Sequence, residues 1–304
     1  MRTDRLTVCT DMTEDRTPLN IGDIVGRYRI DGVLGCGGMG HVYLARDLAL
    51  QRSVAIKLVD PRRQRPDELV REARLAASLD HPSICTIHGV DYLGEEPFLV
   101  MEHVKGMPLS KVIRGRRPLS AASALDFARQ IVSAVAHAHA RGVIHGDLKS
   151  SNVMVGPRGH VTILDFGLAR LAGGPARDNE STRVASSSGA AGTVPYMAPE
   201  IIRGHSASVQ SDIWALGVLL FEMIAGRRPF AGNTPYELAA NILANERTRM
   251  ESLVRGPIRG IIDRCLALEP ADRYPSARQL AAALGRLGRT RRPAAPENDD
   301  RVSV

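Results

Sequence analysis

Lysine is nearly absent from this chain of 304 residues: Lys57, Lys105, Lys111 and Lys149 are the four, and the other 36 of the 40 basic residues are arginine. Two of the four fall inside motifs described below, which gives those positions weight, because a compact ammonium serves where a planar guanidinium does not fit. Cysteine is sparse too. Cys9, Cys36, Cys85 and Cys265 are scattered without Cys-x-x-Cys spacing, which suggests neither a disulfide framework nor a zinc site and fits a reducing cytosol. No long apolar run is present. The longest, IWALGVLLFEMIAG from Ile213, is interrupted by Glu222 and falls short of the ~20 residues of a spanning helix, so it is expected to be a buried helix and no membrane span is expected. The start, MRTDRLTVCTDMTEDR, lacks the apolar stretch of a signal peptide, and a cytoplasmic location is the expectation. Aromatic residues make up 4% of the chain, and no aromatic-studded basic groove accompanies the net charge of +7 and pI near 9.6. The arginines are instead dispersed over Arg62–Arg65, Arg114–Arg117, Arg227–Arg228 and Arg289–Arg292. That pattern reads as solvated surface, not as a nucleic-acid site. No repeat of 20–50 residues is found.

What is there is a globular composition, 44% hydrophobic and 24% charged, in a length that suits about two domains. From Tyr28, three segments alternate at strand period: YRIDGVLG, GHVYLARD and SVAIKLVD. PDELVREARLAASL (66–79) then places Leu69, Ala73, Ala76 and Ala77 at helical spacing behind a Pro-Asp-Glu start. Two more strand-like runs follow, CTIHGVDYL and EPFLVMEHV. The expectation is a small antiparallel sheet with one helix. After Gly106 the periodicity becomes helical, with ALDFARQIVSAVAHAHA the longest amphipathic segment. Residues 173–191, GGPARDNESTRVASSSGAA, are small, polar and hydroxyl-rich and read as a loop.

The chemistry lies in four short stretches. LGCGGMGHVY carries Gly35, Gly37, Gly40 and Val42 as Gly-x-Gly-x-x-Gly-x-Val. Alone it is weak, since turns between strands favour glycine without any ligand. A strand, not a helix, follows, which excludes a dinucleotide fold and leaves a glycine-rich flap closing over phosphates, with Val42 over the base. Cys36 inside this loop is read as an inert small residue, with a reactive thiol as the alternative. Fifteen residues after Val42, VAIK ends on Lys57. Beside such a loop the ammonium can neutralise α- and β-phosphates, provided a carboxylate holds it. Glu72 in mid-helix is that carboxylate, with Glu68 the competitor whose first-turn place suits dipole capping. HGDLKSSN (145–152) supplies a carboxylate to accept a hydroxyl proton, Asp147, and an amide to hold a metal, Asn152, with Lys149 two residues after Asp147 to stabilise the transferring phosphoryl group. Eighteen residues on, Asp165-Phe166-Gly167 closes an apolar run, and Asp165 suits a Mg²⁺ ligand. His137 and His139, two apart on one helix, do not share a face and are read as structural, not as metal ligands with His145.

From about Tyr28 to Leu287 the chain resembles the eukaryotic-type (Hanks-type) serine/threonine protein kinases of bacteria, with six motifs in the family's order. GTVPYMAPE (192–200) resembles the segment that receives the substrate peptide, and SDIWALG (211–217) resembles the buried helix whose Asp212 ties down the catalytic loop. Arg273 matches the family's partner for Glu200. FLVMEHV resembles the hinge, which implies Met101 as gatekeeper, backbone contacts from Glu102 and Val104 to adenine, and Ala55 on the nucleotide. The resemblance implies an α+β bilobal protein-kinase fold: a small N-lobe with an antiparallel sheet plus one helix over 23–104, and a larger, mainly α-helical C-lobe over 105–288. Extensions 1–22 and 289–304 are expected to be disordered. It implies an ATP:protein phosphotransferase using ATP with Mg²⁺ or Mn²⁺ in bacterial signalling. Lys149 and Thr193 imply Ser/Thr acceptors. Autophosphorylation, through a transient homodimer, is expected at Ser181, Thr182, Ser186, Ser187 or Ser188.

His-Gly-Asp also occurs in small-molecule phosphotransferases of the aminoglycoside type, but these lack MAPE and SDIWALG, so a protein substrate is favoured. A pseudokinase scaffold is the other alternative, and the presence of Lys57, Glu72, Asp147, Asn152 and Asp165 argues against it. Gly146 and Ser150, where the family usually has Arg and often Pro, are the departures in the catalytic loop.

Overall fold

The computed structural model describes residues 19–37, 40–59, 65–113, 118–166, 170–171, 193–247, 254 and 256–289. Strands β1 (Ile24–Val25), β2 (Tyr28–Gly37), β3 (Gly40–Asp47), β4 (Arg52–Val59), β5 (Ile87–Leu93) and β6 (Glu96–Glu102) form one antiparallel sheet in the order β1-β2-β3-β4-β6-β5. Helix α1 (Pro66–Ala77) packs against β5 and β6. The three alternating segments and the two later runs are thus strands, although β6 stops at Glu102, short of the expected end, and the two-residue β1 was too brief to carry a period.

Period-2 alternation along β4 sorts its side chains to two faces. Val54, Ile56 and Leu58 enter an apolar cluster with Tyr28, Ile30, Tyr43, Phe98 and Val100. Ala55 enters the opposite cluster with Leu99, Met101, Ala73 and Cys85, bordered by Val42, Val104 and Leu164. Lys57 shares the parity of Ala55, so the register places the lysine on the second face. Gly40 is dictated by packing: its φ is +127° and an added Cβ would lie 2.0 Å from the Leu58 carbonyl oxygen.

The remaining chain is mostly helical, as expected. Helix α2 (Leu109–Val112) leads into α3 (Ala121–His139), capped by Ser120 accepting from the Ser123 N–H. The run at Ile213 is a helix spanning Val209–Ala225, begun by a reciprocal Ser208/Ser211 cap and ended at Gly226 in the left-handed conformation. It is buried on nearly every face, hence its lack of polar stripe. Gly217 admits close approach of the Pro257–Cys265 helix, since a Cβ there would meet Cys265 Cβ at 2.6 Å. Helices Pro235–Leu243 and Ala277–Arg289 complete this lobe. Among the described residues no helix is long and apolar enough to cross a membrane.

Two small sheets were not anticipated: β7 (Met107–Pro108), β9 (Val153–Val155) and β10 (Val161–Ile163), and the pair β8 (Val143–Ile144) with β11 (Arg170–Leu171). Their two- and three-residue strands give too few positions for alternation to register. The sequence also suggested no disulfide. Cys36 is nonetheless disulfide-bonded, and Cys85 and Cys265 are free.

Candidate active site

The catalytic loop hangs between β8 and β9 and is fixed from below by one carboxylate. Asp212, in the first turn of the Val209–Ala225 helix, accepts from the His145 N–H through Oδ2 (2.9 Å) and the Gly146 N–H through Oδ1 (2.9 Å). His139 Nε2 donates to Oδ2 at 2.8 Å. Burial works to raise the Asp212 carboxyl, but these donors prevail and hold it below the ordinary carboxylate range. His139 therefore has the structural role expected of it. So does His145, whose Nδ1 accepts from the Asp147 N–H (3.2 Å) while its ring packs on Phe166 at 4.6 Å.

Gly146 sits between them with φ +74°. That region is free to glycine and costs roughly 1–2 kcal/mol for a residue with a Cβ. The departure at this position thus relaxes the loop backbone.

Asp147 is buried, and its two oxygens differ. Oδ2 accepts from Lys149 Nζ at 2.7 Å and Asn152 Nδ2 at 3.3 Å. Among the described residues, Oδ1 is buried without a hydrogen-bond partner. A buried carboxylate oxygen left open is costly unless something else fills the place, and a substrate hydroxyl is what a general base needs there. Lys149 also donates to Thr193 Oγ1 at 3.0 Å, so the ammonium bridges Asp147 and the segment expected to receive the peptide.

Asn152 Nδ2 donates to the Asp147 carbonyl at 3.0 Å, which commits the amide nitrogen and leaves the amide oxygen as the group able to hold a cation. Asp165 has φ +52°, a left-handed conformation tolerated by Asp and concentrated at functional sites. Burial would raise its carboxyl; the Lys57 ammonium at 2.6 Å outweighs that and holds it below the usual range. Two hard oxygen donors, one firmly anionic, fit a divalent cation of the Mg²⁺ type. Gly167 lies outside the described residues.

Lys57 differs from expectation in its partner. Its ammonium pairs with Asp165, not with Glu72. Glu72 is buried in the middle of α1, as its place in the helical period required, and Glu68 is engaged locally with Arg65 at 3.2 Å. Sequence spacing puts a lysine and a glutamate on facing elements, but it cannot rank two carboxylates competing for one ammonium.

The end expected to hold the nucleotide is apolar. Val42, Ala55, Met101 and Val104 share one cluster, joined by Leu164, which sequence reading missed. Its place just before Asp165 in an apolar strand run was the available signal. At the hinge the Glu102 N–H donates to Thr86 O at 2.9 Å, and the Glu102 carbonyl has a long thiol contact from Cys85 at 3.7 Å. Burial pushes the Cys85 thiol up to about 12, so it is inert. Gly35 has open space where a Cβ would stand, while the side-chain surroundings of Gly37 are outside the described residues. Glu200 and Arg273 form the expected buried pair, with two parallel bonds of 2.7 and 2.8 Å. Ser181, Thr182, Ser186, Ser187 and Ser188 lie outside the described residues.

A glycine-rich β2–β3 hairpin, an apolar cluster reached by Val42, Lys57 paired with an anionic Asp165, and Asp147 joined through Lys149 to Thr193 make up the arrangement of a bilobal protein-kinase fold. Residues 28–283 match the protein kinase domain family, and the chain belongs to that family. It is 39% identical over 269 residues to the serine/threonine-protein kinase PrkC of Bacillus subtilis, covering 85% of this chain and 40% of that protein. It is 35% identical over 282 residues to PknA of Mycobacterium tuberculosis, covering 89% and 63%. With PknB of Mycobacterium leprae the identity is 32% over 292 residues, covering 92% and 46%. The chain thus spans less than two thirds of the length of each of these curated relatives. Among solved structures, a crystal structure of Rad53 1–466 in complex with AMP-PNP superposes with a TM-score of 0.70 at 26% identity, covering 84% of this chain and 64% of that one.

Proposed function

We propose that this chain is a serine/threonine protein kinase that transfers the ATP γ-phosphate to protein hydroxyls with Mg²⁺ or Mn²⁺. The observation that carries this reading is Asp147: one oxygen is braced by Lys149 and the other is buried and open. Asn152 and Asp165 would hold the metal, which neutralises charge on the phosphates when bound. Lys57 would grip the phosphates, and its present partner Asp165 would then turn to the metal while Glu72 takes the ammonium. Val42, Ala55, Met101 and Val104 would enclose adenine, with the Glu102 carbonyl and Val104 backbone bonding its edge. Lys149 and Thr193 would seat a Ser or Thr acceptor. The relatives' names as serine/threonine-protein kinases support the substrate class. The two lobes are taken as 23–104 and 105–288. The test is transfer of labelled γ-phosphate to a protein acceptor by the full chain with Mg²⁺, beside a Lys57→Met variant. Transfer by the natural chain and loss of ~10²-fold or more in the variant are expected. Transfer to an aminoglycoside but to no protein would overturn the substrate class.

The loop between Asp165 and Thr193 is proposed as the site of autophosphorylation, in trans through a transient homodimer, at one or more of Ser181, Thr182, Ser186, Ser187 and Ser188. Gly146 should then loosen the dependence of activity on that phosphate, because it has no guanidinium to pair with it. A modification without differential contact between two states cannot shift their balance. Mass spectrometry should find phosphate within 173–191, and phosphatase treatment should leave activity within about threefold. Gly146→Arg should increase the response to phosphate, with Gly146→Ala as the control for the backbone cost at φ +74°. A tenfold dependence in the natural chain would refute the idea.

A further inference from the structure

The catalytic loop's second departure, Ser150, is buried at 3% exposure and opens the turn Ser150–Asn152, three residues after Asp147. Its hydroxyl lies 2.8 Å from the hydroxyl of Tyr196, which ends the turn Val194–Tyr196, three residues after Thr193. Tyr196 in turn donates to Glu222 Oε2 at 2.6 Å, and Glu222 sits on the buried Val209–Ala225 helix. A phenol has one proton. Because Tyr196 gives it to Glu222, the Ser150 hydroxyl is left as the donor of the group, with both the Tyr196 oxygen and the Glu222 carboxylate as its partners. Burial and the adjacent Glu222 charge push the Tyr196 phenol up, so it remains a donor throughout the physiological range.

Two braces therefore join the same two segments. Lys149 to Thr193 is charged and lies at the reacting end; Ser150 to Tyr196 is neutral, buried and anchored to the core helix through Glu222. The first holds the base and the acceptor together but can swing, since a lysine ammonium is a flexible point charge. The second fixes how far residues 193–196 stand from Asp147. Meanwhile Asp147 and Asn152 are held independently, by His145 and by each other.

We propose that Ser150 is a positioning residue that, through Tyr196 and Glu222, sets the register of the peptide-accepting segment against the catalytic base, and so governs the protein acceptor's KM and not that of ATP. This rests on the reading of Asp147 as base and of residues 192–200 as the acceptor segment. Loss of the Ser150 hydroxyl removes one buried hydrogen bond, about 1 kcal/mol and so about fivefold in an equilibrium. Its effect falls on whatever the segment binds.

Steady-state kinetics of the full chain with a protein acceptor test this, with thermal melts confirming that each variant is folded. Ser150→Ala should raise the acceptor KM about fivefold and leave the ATP KM within twofold. Tyr196→Phe should do at least as much, and Ser150→Ala/Tyr196→Phe should be no worse than Tyr196→Phe alone, because both remove the same contact. Ser150→Thr, which keeps the hydroxyl, should restore most of the acceptor KM. The proposal is overturned by an unchanged acceptor KM in both single variants, by an equal rise in the ATP KM, or by effects that multiply in the double variant. Asp147→Asn in the same assay separates the two readings. If it abolishes turnover while Ser150→Ala is silent, only the positioning role fails; if it too retains turnover, the site reading fails with it.

Discussion

Asp147→Asn is expected to lower turnover with a protein acceptor by about 10²- to 10⁴-fold, the range that positioned general-base catalysis supplies, while the ATP KM changes little. The substitution preserves shape. The amide can still sit beside Lys149 and Asn152, whose nitrogens lie 2.7 and 3.3 Å from Oδ2, and the backbone N–H to His145 is untouched. What it removes is the ability to accept a proton at the open position. Oδ1 is the only buried atom of this loop's acidic groups left without a partner among the described residues, so no neighbouring carboxylate can take over. Asp165 is held anionic by its pair with Lys57, and Asp212 spends both oxygens on the loop backbone. A rate-against-pH profile and single-turnover transfer would separate chemistry from product release. Retention of more than a tenth of the natural turnover would show that Asp147 is not the base.

Most of this site was legible because the chemistry demands particular residue types at short spacing. Asp147, Lys149 and Asn152 fall within six residues, and Lys57 follows the glycine flap by one hairpin. Asp212 and Arg273 were legible only through resemblance, since partners 66 or 73 residues away leave no local trace. The elements with long periods, α1 and the five longer strands, emerged from alternation; β1 and β7 to β11 did not, having two or three residues each. The pairing of Lys57 with Asp165 was not legible for a different reason. Competition between Glu72 and Asp165 depends on the placement of α1 relative to β4, a tertiary variable that no periodicity encodes. Ser150 was visible as a departure, but its meaning needed Tyr196 and Glu222 to be brought beside it.

Arg273→Ala is expected to destabilise the fold by about 3–5 kcal/mol, the cost of leaving one member of a buried ion pair uncompensated. The guanidinium is fully buried, and every one of its five N–H donors has a use. NH1 and NH2 form the fork on Glu200 at 2.7 and 2.8 Å. The remaining three reach the carbonyls of Ala267 (2.9 Å), Gln210 (2.9 Å) and Leu268 (3.0 Å). Its plane also lies 5.0 Å from the Trp214 ring centroid. One side chain thereby joins the short helix Pro199–Ile202, the start of the Val209–Ala225 helix and the turn before Pro270. Removing it strands the Glu200 carboxylate and three carbonyls in a water-poor interior. Arg273→Lys should recover only part of the loss, since an ammonium has three donors and no planar fork with which to meet five acceptors. For a domain of this size each kcal/mol moves the midpoint by roughly 2–4 °C, so Arg273→Ala should melt on the order of 10 °C below the natural chain. Because Glu200 closes the segment that Thr193 opens, activity at 25 °C should fall as well, even where the variant remains folded. Calorimetry of the three proteins gives the comparison: a melting point for Arg273→Ala within 2 °C of the natural chain, or Arg273→Lys equal to the natural chain, would mean that the pair contributes far less than its complete set of donors implies.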